Sequence, residues 1–274
     1  MPKSVVTGSF DDLRSSDVRF LEEAAKRGEL HVLLWSDEVV RRLDGRSPTF
    51  PLSERLYLLD AIRYVHEVHL IDEVADRDRL PPYTDCLANT WVVDEPNDTA
   101  QKRAFCAAYG MNFQVIKQAL LRSFPKYGNQ PVLEEPSGRR KVVVTGCYDW
   151  FHSGHVRFFE EVSELGDLYV VAGSDQNVQL LKGDGHPMFQ QDERRYVVQS
   201  IKYVKQALIS SGSGWLDAEP EIALIKPDIY AVNDDGDQPE KRTYCETHGI
   251  QYVVLSRTPK EGLPRRQSVD LRGF

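Results

Sequence analysis

Positive charge is in short supply. The chain of 274 residues sets 34 lysines and arginines against 42 aspartates and glutamates, a formal net charge of −8. That balance argues against a general nucleic-acid-binding role, so any anionic substrate must be held by a local basic site. Cysteine is scarce as well. Cys86, Cys106, Cys147 and Cys245 form no C-x-x-C pair, and reduced thiols in a cytoplasmic protein are the expectation. No run approaches the roughly 18 apolar residues of a membrane span. The N-terminal MPKSVVTGSF reaches a glycine too early for a signal-peptide core. Hydrophobic residues are not lacking: at 41% they suffice for one large domain or two ordinary ones.

The choice between one domain and two is made by a repeat. The segment VVTGSFDDLRSSDVRFLEEAAKRGELHVLLWSDEVVRRLDG finds its partner in VVTGCYDWFHSGHVRFFEEVSELGDLYVVAGSDQNVQLLKG. Gly8 matches Gly146, Asp37 matches Asp175 and Gly45 matches Gly183, each 138 residues apart. After a slip of one residue, Phe50 pairs with Phe189, Arg55 with Arg194 and Cys106 with Cys245. Ordered matches over such a length are the mark of a duplication.

Each copy reads as the same string of elements. A β-branched run, Val5-Val6 or Val142 to Val144, ends in Thr-Gly as a buried parallel strand does. Val156, Phe159, Val162 and Leu165 are spaced for one buried helix face. Further strands are expected over 168–172, up to Ile209, over 227–232 and over 250–255, with helices over 192–204 and around 241–247. Alternating strands and helices imply an α/β fold of two tandem Rossmann-like, doubly wound parallel sheets. The expected boundaries are a first domain over 1–123, a proline-bearing linker over 124–140, and a second domain over 141–274.

The richest chemistry follows the first strand of the second copy, in Gly146-Cys147-Tyr148-Asp149-Trp150-Phe151-His152-Ser153-Gly154-His155. Ligands of open parallel sheets bind at the carboxyl ends of strands. A helix starting there offers free N–H groups and a positive dipole end to a phosphate. Gly154 lets the backbone approach, and the two imidazoles can donate to phosphate oxygens.

The HSGH sequence, after GCYDWF, resembles the HxGH motif of the cytidylyltransferase-like nucleotidyltransferases. The resemblance continues through LKGDGHPMFQQDERRYVVQSIKYV, and the tandem arrangement is similar to that of the ethanolamine-phosphate cytidylyltransferases. It implies transfer of a nucleotidyl group from a nucleoside triphosphate to a small phosphomonoester, with release of pyrophosphate and no enzyme nucleophile. On that reading His152, His155, Lys182 and Arg257 act on the phosphates. Gly146, Cys147, Tyr148, Asp149, Gly154, Asp175, Asn233, Asp234, Thr258 and Ser268 line the nucleotide site. Mg²⁺ is the implied cofactor, carried mainly by the triphosphate. CTP is the implied donor, with ATP as the alternative because similar HxGH domains adenylylate heptose phosphates, flavin mononucleotide or phosphopantetheine. The family's R-T-x-G-I-S-T-T signature is only begun by Arg257-Thr258, and Arg265 and Arg266 are alternative phosphate ligands or a solvated tail. Asn233 stands where glycine is usual in the base-side loop. Pairing of the two domains within the chain, and a homodimer, are implied by analogy with relatives.

The remaining candidates read as structure. Tyr148, Phe151, Phe158 and Phe159 suit a core, Glu160, Glu161 and Asp184 solvated faces, and His186 and His248 the surface. Trp215 is a candidate cap for an acceptor pocket. In the first copy the two histidine positions hold Arg14 and Asp17, and the Lys182 position holds Asp44. A carboxylate about 4 Å from a phosphate costs roughly 4 kcal/mol at an effective dielectric near 20. The first copy is therefore expected to be silent. A non-catalytic nucleotide sensor is the competing class for the whole chain.

Overall fold

The computed structural model describes residues 2–81, 89–126, 128 and 132–266. Cys86 and Ser268 lie outside the described residues. Two compact units divide the chain after Ser123.

The first unit is a parallel sheet of β1 (Lys3–Gly8), β2 (Glu29–Trp35), β3 (Glu67–Ile71), β4 (Thr90–Asp94) and β5 (Asn112–Ile116), in the order β3-β2-β1-β4-β5. Its helices are α1 (Ser15–Ala25), α2 (Asp37–Asp44), α3 (Leu52–Ala61), α4 (Ala100–Ala108) and the single turn α5 (Gln118–Leu121). The second unit repeats the plan. Strands β6 (Lys141–Gly146), β7 (Asp167–Ala172), β8 (Val204–Ile209), β9 (Ile229–Asn233) and β10 (Gln251–Leu255) lie in the order β10-β9-β6-β7-β8. Helices α6 (Ser153–Leu165), α7 (Asp175–Lys182), α8 (Gln191–Gln199), α9 (Glu219–Ile225) and α10 (Pro239–His248) alternate with them. Read from β8, this is the strand order of the first unit, as duplication requires. Every pairing is parallel.

The apolar run at 142–144 makes β6 a central strand: Val142, Val143 and Val144 are fully buried between β7 and β9. Val156, Phe159 and Val162 of α6 are also fully buried, but Leu165 at its end is 36% exposed, so the buried face stops one turn short of expectation. Helix α8 ends at Gln199 rather than at 204. The Ser200 hydroxyl donates to the Tyr196 carbonyl, competing with continuation of the helix, and β8 starts at Val204. Both units reverse their winding beside the central strand, between β1 and β4 and between β6 and β9. The crevice above that reversal is where an open α/β sheet takes its ligand.

Residues 132–140 belong to no helix or strand, yet they are docked on the second unit. Ser137 donates to Asp167 from both its N–H and its hydroxyl, and Glu134 N–H donates to Gln206 at 2.9 Å. Leu133 packs on the core of Val143, Tyr169, Val171 and Leu208.

Candidate active site

The carboxyl end of β6 leads through Cys147, Tyr148 and Asp149 to His152, which caps α6. Tyr148 takes a positive φ of 54°, which turns its ring back over Gly146. A Cβ at Gly146 would lie 2.8 Å from the tyrosine ring, so the glycine there is required by this fold-back. Tyr148 is buried, and its ring meets His155 edge-on at 5.4 Å and Phe159 at 5.3 Å. Its side chain thus forms a wall behind the histidines.

The two histidines hold each other in a reciprocal cap. His152 Nδ1 accepts the Gly154 N–H at 3.1 Å, and His155 Nδ1 accepts the His152 N–H at 3.3 Å. A nitrogen that accepts carries no proton, so in both rings the proton resides on Nε2. Burial, reinforced by the Arg257 and Arg266 charges, pushes the His152 pKa down to about 3. Burial also holds His155 well below the usual range, helped by His152, Arg257 and Lys182. Both rings are therefore neutral donors at physiological pH. Gly154 is enforced as well, since a Cβ there would lie 2.9 Å from His152 Cε1.

Cationic groups converge on the same helix end from two directions. Lys182 is exposed at the last turn of α7, where its charge reaches His155 and Cys147. The chain after β10 passes across the start of α6: Arg157 donates to the Thr258 carbonyl at 3.1 Å, and Lys260 pairs with Glu160 at 2.5 Å. This places Arg257, Arg265 and Arg266 around Ser153 and Gly154. Arg257 takes a φ of 47° and lies 3.3 Å from Asp235, with little of its side chain exposed. Its charge is one of those that depress both imidazoles.

Other expected residues are placed at the site but hold the protein to itself. Asp149 accepts from Met188 N–H at 2.8 Å, Phe189 N–H at 3.0 Å and His186 Nδ1 at 3.1 Å, pinning the loop after α7 to the loop before α6. Those bonds keep its carboxyl below the ordinary range against the opposing effect of burial. His186, expected on the surface, is thereby drawn in. Asp175 pairs with Arg194 at 2.8 Å. Cys147 offers its carbonyl to Arg194, while burial pushes its thiol pKa up. Asn233 ends β9; its Nδ2 donates to Asp235 at 2.9 Å, and its Oδ1 is buried with no hydrogen-bond partner. Asp234 is exposed beside it, and Thr258 offers its carbonyl to Arg157. Trp215 is 59% exposed in the loop after β8.

Two residues carry more of the site than the sequence reading gave them. Arg194 is buried and donates to the carbonyls of Phe189, Cys147 and Gly173 as well as to Asp175. One guanidinium thus ties together the ends of β6 and β7 and the start of α7. The repeat contained the signal, because Arg55 does the same with Phe50, Ser9, Trp35 and Asp37. Lys241, buried on α10, donates to the Gly236 carbonyl and shapes the loop after Asn233.

The corresponding crevice of the first unit is a cavity of about 260 Å³ lined by Gly8, Asp17, Trp35, Asp94 and Lys102 among others. Its cations are already paired, Arg77 with Asp44 at 2.5 Å and Lys102 with Asp78 at 3.0 Å, and Arg14, at the His152 position, pairs with Asp12 at 2.6 Å. Asp17 accepts the Arg14 N–H, and burial beside Asp12 and Asp94 raises its pKa to about 6. Trp35 stands where the second unit has Gly173, and its indole donates to Thr7.

The HSGH helix cap thus stands at the switch point of the second doubly wound sheet. The Cytidylyltransferase-like family model matches residues 5–137 and 143–263, and the chain belongs to that family. Among its relatives is an FAD synthase of Ferroglobus placidus, 36% identical over 125 residues, which are 44% of this chain and 78% of the relative. A bifunctional protein HldE of Campylobacter concisus is 37% identical over 134 residues, 45% of this chain but only 28% of that protein. The solved lipopolysaccharide core biosynthesis protein of Thermoplasma volcanium is 25% identical, covers 44% of this chain and 100% of its own, and superposes with a TM-score of 0.38. No helix among the described residues is long and apolar enough to cross a membrane.

Proposed function

We propose that the second unit transfers a nucleotidyl group from a nucleoside triphosphate to a small phosphomonoester, and that the first unit does not. The observation that carries this reading is the reciprocal histidine cap, which fixes two neutral Nε2–H donors at the start of α6. A phosphate oxygen of the acceptor attacks the α-phosphorus. The bond from that phosphorus to the oxygen bridging to the β-phosphate breaks, and pyrophosphate leaves with the electron pair. His152 and His155 donate to phosphate oxygens as charge develops, while Arg257 and Lys182 supply the positive field. Neutral donors suit the task because no proton must leave them; catalysis is positioning and charge stabilisation.

The nucleotide arrives as its Mg²⁺ complex. Around the start of α6 the described residues include no group of three carboxylate, histidine or cysteine ligands, and the ion comes with the substrate, held through phosphate oxygens. The buried, unpartnered Oδ1 of Asn233 is an acceptor for the exocyclic amine of a base. Adenine and cytosine both carry one. ATP is the favoured donor, because the product named by the Ferroglobus relative contains an adenylyl group. CTP is the second reading, favoured by the tandem arrangement. In the first unit, Asp17 and Asp94 in place of His155 and Asn233 oppose triphosphate binding.

The test is pyrophosphate release with ATP, CTP, GTP and UTP against flavin mononucleotide, sugar phosphates and phosphorylated alcohols. Turnover with ATP supports the favoured donor, and turnover with CTP the second. Saturable nucleotide binding without release across the panel would replace the enzyme with the sensor.

A further inference from the structure

Histidines gather at a second place, on one edge of the first sheet and away from its cavity. His31 of β2 pairs in register with Glu67 of β3, and His69 follows Glu67 by two residues. In-register neighbours and alternate residues share a face, so His31, Glu67 and His69 project from the same side. Glu29 precedes His31 by two and joins them, and His66 lies just before β3.

The geometry is that of a ligand set. His31 Nδ1 lies 2.9 Å from His69 Nε2 and 3.7 Å from Glu67 Oε2, and His69 Nε2 lies 3.5 Å from Glu67 Oε2. A tetrahedral ion with bonds of 2.0–2.2 Å places its ligand atoms about 3.3–3.6 Å apart. The observed triangle brackets that spacing. Glu29, His31 and His66 form an overlapping group with ligand atoms within 4.8 Å of one another. His31 is nearly fully buried, which fixes the orientation of its ring.

The duplication supplies an internal comparison. At the equivalent places the second unit has Tyr169, Gln206 and Leu208, with Tyr169 and Gln206 again in register. There the face is closed by protein: Tyr169 donates to the Glu134 carbonyl, and Gln206 bonds Val132 and Glu134. Among the described residues, the equivalents in the second unit are thus a phenol, an amide and an aliphatic chain, none of them an imidazole or carboxylate ligand.

We propose that His31, His69 and Glu67 bind one divalent transition-metal ion of the zinc class, with the exposed His66 or water in the fourth position. Two imidazoles with one carboxylate suit zinc, cobalt or nickel, and do not suit magnesium or calcium. The ion would clamp the edge strand β3 to β2, a structural role independent of nucleotidyl transfer.

The experiment uses full-length protein, stripped of metal by a chelator and then dialysed. Zn²⁺ is titrated calorimetrically and Co²⁺ by visible absorption, both without nucleotide. The expected result is one ion per chain, the intense visible bands of four-coordinate cobalt, and a thermal midpoint raised by Zn²⁺. His69→Ala and Glu67→Gln, both at partly exposed positions, should each weaken the affinity at least tenfold. Unchanged circular dichroism would show that these variants are folded. Absence of stoichiometric uptake, or uptake unaltered in both variants, would overturn the site and leave a hydrogen-bonded imidazole pair only.

Discussion

His152 and His155 each spend Nδ1 on the backbone and keep the proton on Nε2, so their chemistry is that of neutral donors. With His152 lowered to about 3, the rate of pyrophosphate release should show no imidazole inflection between about pH 5.5 and 8. An inflection near 6.5 that disappears in His152→Asn would contradict this. The same shift sets a stability slope. Above pH 6.5 the ring is neutral folded or unfolded and contributes none. Below it the unfolded chain binds a proton that the folded chain refuses, so stability falls as pH falls toward 3, by about 2 kcal/mol at pH 5. Denaturant midpoints of wild type and His152→Asn at pH 7.5 and 5 check it, because asparagine can cap the helix without titrating. Asp17 has the opposite sign. Its folded pKa of about 6 lies above the unfolded value, so its stability is present below about pH 4 and lost as pH rises through 6. Asp17→Asn should therefore stabilise the first unit at pH 7.5, by about 1–3 kcal/mol.

At the scale of elements, Arg194 and the caps decide where the site's loops sit. Arg194→Leu would strand Asp175 and the carbonyls of Cys147, Gly173 and Phe189, and should cost about 3–5 kcal/mol in denaturant unfolding. Gly154→Ala should leave the fold intact yet lower turnover at least tenfold, because the new methyl group displaces the His152 ring. Strand positions and the HSGH helix start were legible in the sequence because buried parallel strands are continuous apolar runs and the helix start is written in a few adjacent residues. Helix α9 was not, since Glu219–Ile225 is short and opens on an exposed turn. The overlong reading of α8 missed the Ser200 back-bond, which competes with the helix from within its own pattern. The role of Arg194 was hidden for another reason: its partners are backbone carbonyls, which no side-chain spelling reveals. The docked segment at 132–140 likewise uses hydrogen bonds that carry no periodicity. Asp149, expected to line the nucleotide site, holds the loop at Met188 and Phe189 through its carboxylate, a bond to backbone N–H groups that the motif does not spell.

For the whole molecule, duplication has given two sheets of identical strand order with different chemistry at their switch points. The second unit has neutral imidazole donors, a glycine at position 173 and arginines that converge on α6. The first has Asp17, Asp94 and Trp35 around its cavity, with the nearby cations paired to carboxylates. Nucleotide should therefore saturate at one site per chain. At a hundred dissociation constants it should raise the midpoint of the binding unit by about 5–11 °C. The most direct test of the central claim compares pyrophosphate release, with the best donor and acceptor of the panel, in wild type, His155→Asn and Asp17→Asn. A loss of about 10²–10³ in His155→Asn, with Asp17→Asn unchanged, is the predicted result. Turnover retained in His155→Asn but altered in Asp17→Asn would place the chemistry in the first unit and contradict the account.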